Sequence, residues 1–124
     1  MTLKNLRTLL KTMGDDVRLR TINILSKRGD LSVTQICNIL NVSQPTMSKH
    51  LVRLRLLKIV NDRRDGNRVY YSLADRPDNI KILKFLMSEF SDIEAFRMDN
   101  LRSEEILDVG AEKNLTIEGE QYGI

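Results

Sequence analysis

Leu3, Leu6, Leu10 and Met13 recur at helical spacing, with Thr2 placed to cap the helix and Gly14 to break it. Asp15 and Asp16 open a second helix. Lys27 and Arg28 close it and Gly29 follows, so charge and glycine sit where a helix dipole and a C-cap favour them. Its apolar residues Val17, Leu19, Ile22, Ile24 and Leu25 cover a broad stripe and predict a largely buried helix. Ser32-Val33-Thr34-Gln35 reads as a capping box ahead of a short helix through Ile36, Ile39 and Leu40. Asn41-Val42 is a tight link. Ser43 caps the next helix, which runs from about Ser43 to Leu57 and carries Pro45 in its first turn. Two short helices joined by about three residues form a helix-turn-helix signal.

The period then changes. Ile59 to Leu73 reads as a β-hairpin, with Asp65-Gly66 as its two-residue turn and Val69-Tyr70-Tyr71-Ser72-Leu73 as a strand. Pro77 and Asp78 open a long helix, roughly Asn79 to Arg102, marked by Ile82, Leu83, Phe85, Leu86, Phe90, Ile93, Phe96 and Leu101. The expected organisation is one domain over 1–102, mainly α with a β-hairpin. An acidic tail over 103–124 is expected to be partly disordered.

Charge sharpens this picture. The net charge is only +3, but residues 43–76 hold eight Lys/Arg against three Asp/Glu, and residues 77–124 hold five against eleven. The middle of the chain is built to meet a polyanion. One cysteine, Cys37, and one histidine, His50, leave little material for a zinc site of the usual kinds or for a nucleophile with its base. No metal, no cofactor and no enzymatic activity are therefore expected. No apolar run is long enough to cross a bilayer, and the N-terminus lacks the apolar stretch of a secretory signal, so a cytoplasmic protein is expected.

At 100° per residue, Met47, Leu51 and Leu54 fall within about 60° of one another and face the core. The opposite side carries Pro45, Thr46, Ser48, Lys49, Val52 and Arg53, with Gln44 at the tip. This short, polar, cationic face suits a helix that enters a DNA major groove N-terminus first. Gln44 is matched to adenine, Lys49 to guanine or a phosphate, and Thr46 and Ser48 to either. His50 lies on the flank, suited to packing or a phosphate. In the hairpin, a turn at Asp65-Gly66 sets Arg64 opposite Asn67, Arg63 opposite Arg68 and Val60 opposite Tyr71. Two facing arginines repel each other unless a phosphate lies between them. The expected DNA contacts are thus Ser43, Gln44, Thr46, Ser48, Lys49, His50 and Arg53 on the helix, and Arg63, Arg64 and Arg68 on the hairpin.

The order helix, helix, helix-turn-helix, hairpin, helix resembles the ArsR (ArsR/SmtB) family of repressors from about Leu9 to Leu73. The resemblance rests on Met13-Gly14-Asp15, Val17-Arg18-Leu19-Arg20, Asp30-Leu31-Ser32-Val33, the run Val42-Ser43-Gln44-Pro45-Thr46-Met47-Ser48-Lys49-His50-Leu51, and Asp62-Arg63-Arg64-Asp65-Gly66-Asn67-Arg68-Val69-Tyr70-Tyr71-Ser72-Leu73. It implies a winged helix-turn-helix homodimer joined through the first and last helices. It also implies an inverted-repeat operator on double-stranded DNA and repression by promoter occlusion.

Departures from the family pattern matter as well. Where many members carry a Cys-Val-Cys metal site, this chain has Ser32 and Thr34. Where others bind zinc through Asp and His on the last helix, residues 74–102 contain neither His nor Cys, and Asp92 and Glu94 are carboxylates only. Lys58 stands where the family often closes the recognition helix with glycine. No effector is legible. Two other readings are a dimeric interaction module that has lost DNA, and a thiol-based redox-responsive repressor using Cys37. The intact Gln44, Thr46, Ser48 and Lys49 favour DNA.

Overall fold

The elements run α1 (Leu3–Thr12), α2 (Asp16–Arg28), β1 (Leu31–Ser32), α3 (Val33–Leu40), α4 (Gln44–Leu56), β2 (Val60–Asp65), β3 (Arg68–Leu73), α5 (Pro77–Glu89) and α6 (Glu94–Ser103), then a π-helical turn over Glu104–Asp108. The structure is a computed structural model that describes residues 1–75 and 77–108, with the backbone alone for 77–79. Of the tail expected to be partly disordered over 103–124, residues 103–108 are helical and residues 109–124 lie outside the described residues.

Local chemistry sets the helix boundaries. Thr2 Oγ1 accepts from the Asn5 N–H at 3.1 Å, and Asp15 Oδ1 accepts from the Arg18 N–H at 3.0 Å. The Ser32–Gln35 capping box closes in both directions, at 3.1 and 2.9 Å. Gly29 ends α2 at φ 76°, and Asn41 ends α3 in the left-handed region at φ 55°, where Asn is better tolerated than most residues.

The core lies where α2, α3 and α4 meet. Met47, Leu51 and Leu54 of α4 are fully buried among Ile22, Ile24 and Leu25 of α2 and Ile36, Ile39 and Leu40 of α3. Each such side chain contributes about 1.5–3 kcal/mol through burial. This packing, together with the Asn41 turn, fixes which face of α4 looks outward.

The sheet is three-stranded and antiparallel, in the order β1-β3-β2. Strand β1 pairs Leu31 with Tyr71 and Ser32 with Tyr70, an addition to the expected hairpin.

Two expectations are corrected. The hairpin turn is Gly66-Asn67, one residue later than Asp65-Gly66: Asp65 faces Arg68, Arg64 faces Val69, Arg63 faces Tyr70 and Val60 faces Leu73. Gly66 takes φ 63° at the first loop position and Asn67 has no positive φ, as in a type II′ turn. Arg63 and Arg68 are therefore not opposite each other, and no repulsion across the hairpin needs a phosphate to relieve it. The long helix from Asn79 to Arg102 is in fact two, α5 and α6, interrupted at Phe90 to Ile93. Ser91 and Asp92 favour turns over helix interiors, because their side chains compete for the backbone.

Candidate nucleic-acid interface

Helix α4 presents Gln44, Pro45, Thr46, Ser48, Lys49, Val52 and Arg53 to solvent, while Met47, Leu51 and Leu54 anchor it from behind. Ser43 stands at the N-cap but makes no capping bond; its hydroxyl donates instead to Thr46 Oγ1 at 3.0 Å. The N-terminal N–H groups of α4 are thus left without a side-chain acceptor from the N-cap, at the positive end of the helix dipole. Lys49 and Arg53 have no carboxylate partner among the described residues. His50 sits on the flank, partly buried, with Nδ1 3.9 Å from Asp15 Oδ1.

The hairpin contributes Arg63, Arg64 and Arg68, all exposed. Their surroundings differ. Arg63 is ion-paired with Asp30, and its guanidinium lies 4.7 Å from the centroid of the Tyr70 ring. The Asp30 carboxylate raises the Arg63 pKa further above its ordinary value. Arg64 and Arg68 have no ion-pair partner among the described residues. At the base of the hairpin, Arg55 of α4 reaches Asp62 of β2 at 3.2 Å, tying the last turn of the helix to the strand that follows it. Lys58, between them, takes φ 60°, the left-handed conformation that a glycine adopts freely.

Every expected contact residue thus lies on α4, its cap or the hairpin, and all but His50, which is half-buried, are exposed. Asp30 and Tyr70, which hold Arg63, and Asp15, which lies near His50, were not among the expected residues. Gly-Asn is itself a hairpin-loop dipeptide, so Gly66-Asn67 was a signal available for the correct register, and with it for the Arg63–Tyr70 pair.

Ser32 spends its hydroxyl on the capping box and Thr34 is exposed. Among the described residues, no group of three or more His, Cys, Asp or Glu side chains is arranged to hold a metal ion. Cys37 packs against the core from α3, and burial pushes its thiol pKa up, away from the reactive thiolate.

A family model described as "Bacterial regulatory protein, arsR family" matches residues 15–62. The chain is 41% identical over 86 residues to the transcriptional repressor PagR of Bacillus anthracis, covering 69% of this chain and 85% of that one. The chain belongs to the arsR family. A second relative, the arsenical resistance operon repressor of Escherichia coli, is 39% identical over 66 residues, 53% of this chain and 56% of its own length. Among solved structures, HlyU from Vibrio cholerae superposes with a TM-score of 0.66 at 28% identity, over 71% of this chain and 94% of that one. The PagR crystal structure superposes with a TM-score of 0.59 at 40% identity, over 68% and 94%. The fold is therefore a winged helix-turn-helix, with β2 and β3 as the wing. Membership in this family makes the chain a DNA-binding transcriptional regulator of the repressor kind, which is not an enzyme class. Among the described residues no helix is long and apolar enough to cross a membrane.

Proposed function

We propose that this arsR-family protein binds an inverted-repeat operator as a homodimer, with α4 of each protomer in successive major grooves, and represses by occluding a promoter. One observation carries this reading. Gln44, Ser48, Lys49 and Arg53 are exposed on a helix anchored from behind, and no side-chain hydrogen bond within the described fold occupies them. Gln44 is suited to the adenine edge, and Lys49 to guanine or a phosphate. Ser43, Thr46 and Ser48 serve either base or backbone. Arg53, His50 and the wing residues Arg63, Arg64 and Arg68 meet phosphates.

The dimer follows from apolar surface that the protomer leaves bare. Leu3 and Leu10 of α1 are 82% and 61% exposed and share a stripe with Leu6, and Phe85 of α5 is 63% exposed beside Ile82. A two-fold axis that joins these stripes would bury both and set the recognition helices about one DNA turn apart. Residues 1–102 then serve as the DNA-binding and dimerisation domain, with an acidic tail from 103, in the cytoplasm where operator DNA is found.

A gel shift on the promoter of the protein's own gene tests the reading. The expected outcome is a dimer complex that outcompetes shuffled duplex by about 10³-fold or more at physiological salt. Added zinc or arsenite should leave the complex in place. Equal retention of promoter and shuffled duplex would overturn the assignment.

A further inference from the structure

Helices α2 and α6 are joined by a ladder of polar contacts that the DNA-facing surface does not use. Arg20 Nε donates to Asp99 Oδ2 and Arg20 Nη2 to Asp99 Oδ1, both at 2.8 Å. The same Nη2 donates to the Leu40 carbonyl at 2.8 Å. Further along, Asn23 Nδ2 donates to Asn100 Oδ1 at 3.0 Å, and Arg28 engages Ser103 Oγ at 3.0 Å and Asp108 at 2.9 and 2.8 Å.

The first rung differs from the others in where it ends. Leu40 is the last residue of α3. After it come left-handed Asn41, then Val42, whose N–H reaches back to the Cys37 carbonyl at 3.2 Å, and then Ser43 at the cap of α4. These three residues set the angle at which the recognition helix leaves α3. Asp99 is 4% exposed, and a carboxylate that deep is costly unless it is paired. The planar guanidinium fork satisfies both of its oxygens and, because the fork is rigid, fixes where the remaining N–H of Nη2 points. It points at Leu40.

We propose that Asp99 is a positioning residue for DNA binding: it aims Arg20 at the Leu40 carbonyl and so braces the turn that presents α4. This role rests on the DNA-binding reading above.

The test measures three properties on full-length variants: promoter affinity, thermal stability and amide exchange at Val42. Arg20→Lys keeps a cation beside Asp99, but its single ammonium does not span both partners. It is expected to stay folded, to lose about tenfold in promoter affinity, and to exchange the Val42 amide faster while the Ile24 amide in the core of α2 is unchanged. Asp99→Ala should lose at least as much. Asp99→Asn, which keeps one acceptor, should lose less. Asp108→Ala removes the outer rung without touching the turn and should leave affinity within about twofold.

Wild-type affinity and wild-type Val42 exchange in Arg20→Lys would overturn the brace, as would an affinity loss in Asp108→Ala equal to that in Arg20→Lys. If Asp99→Ala does not fold, Arg20→Lys decides. If the wild-type protein itself shows no preference for the promoter, the operator assignment fails, and Val42 exchange alone still judges the brace.

Discussion

The recognition helix and the wing hold cations of two kinds. On α4, Lys49 and Arg53 stand on a rigid, core-anchored element with no carboxylate beside them among the described residues. On the wing, Arg63 is already held by Asp30 and stacked on Tyr70, while its neighbours Arg64 and Arg68 are unpaired among the described residues. A cation that gives up an existing partner to meet a phosphate gains less than one that gives up only water. The helix is therefore expected to supply sequence preference. Arg64 and Arg68 should supply most of the wing's salt-sensitive affinity, and Arg63 should chiefly hold the wing in place.

The largest effect that would break this division lies on the helix. Gln44→Ala and Lys49→Ala should each cost about 1–3 kcal/mol on the promoter and far less on shuffled duplex. A loss equal on both sequences would move base reading away from α4. Next comes Arg64→Ala with Arg68→Ala. This pair should weaken binding to every sequence and reduce the salt slope by about one for each phosphate left without its arginine, measured by titration across salt concentrations. Arg63→Ala should change the slope less than Arg64→Ala; the reverse order would show that Asp30 releases Arg63 on binding.

Smaller effects are expected at residues that do not touch DNA. Lys58→Gly relieves a left-handed residue at the joint between helix and wing, and should raise stability by up to about 1 kcal/mol in chemical denaturation while leaving promoter affinity unchanged. At acid pH the contact between α2 and the Glu104–Asp108 turn should weaken. Arg28 holds the Asp108 carboxyl below its ordinary value of 3.8, so the ion pair is complete above that value and is lost as pH falls through the lower folded one. An NMR titration of the Asp108 carboxyl carbon reads this directly, and an unshifted midpoint would show that the turn is not held.

What could be read from the residues tracks how local each determinant is. The face of α4 was legible because the spacing of Met47, Leu51 and Leu54 and the first-turn Pro45 act within one helix; the capping bond expected of Ser43 does not form, its hydroxyl turning to Thr46 instead. The wing register was missed because Asp65-Gly66 and Gly66-Asn67 overlap, and either one makes a two-residue loop. A one-residue shift of the turn changes every cross-strand partner. Strand β1 is two residues long, too short to leave an alternating pattern. The apolar period running through Phe90, Ile93 and Phe96 concealed the break between α5 and α6. Asp99 reads in the chain as one more surface acid, and its partner Arg20 lies 79 residues away, a pairing that only the packed fold reveals.

Hydroxyl-radical footprinting of the protein on its own promoter shows whether two recognition helices sit on the DNA as a symmetric pair. Two matched protections should appear, related by two-fold symmetry and centred about ten base pairs apart, and at the protein concentration that half-protects with the wild type Lys49→Ala should weaken both together. A single unsymmetric protection, or protections that Lys49→Ala leaves at wild-type strength, would contradict a paired recognition helix.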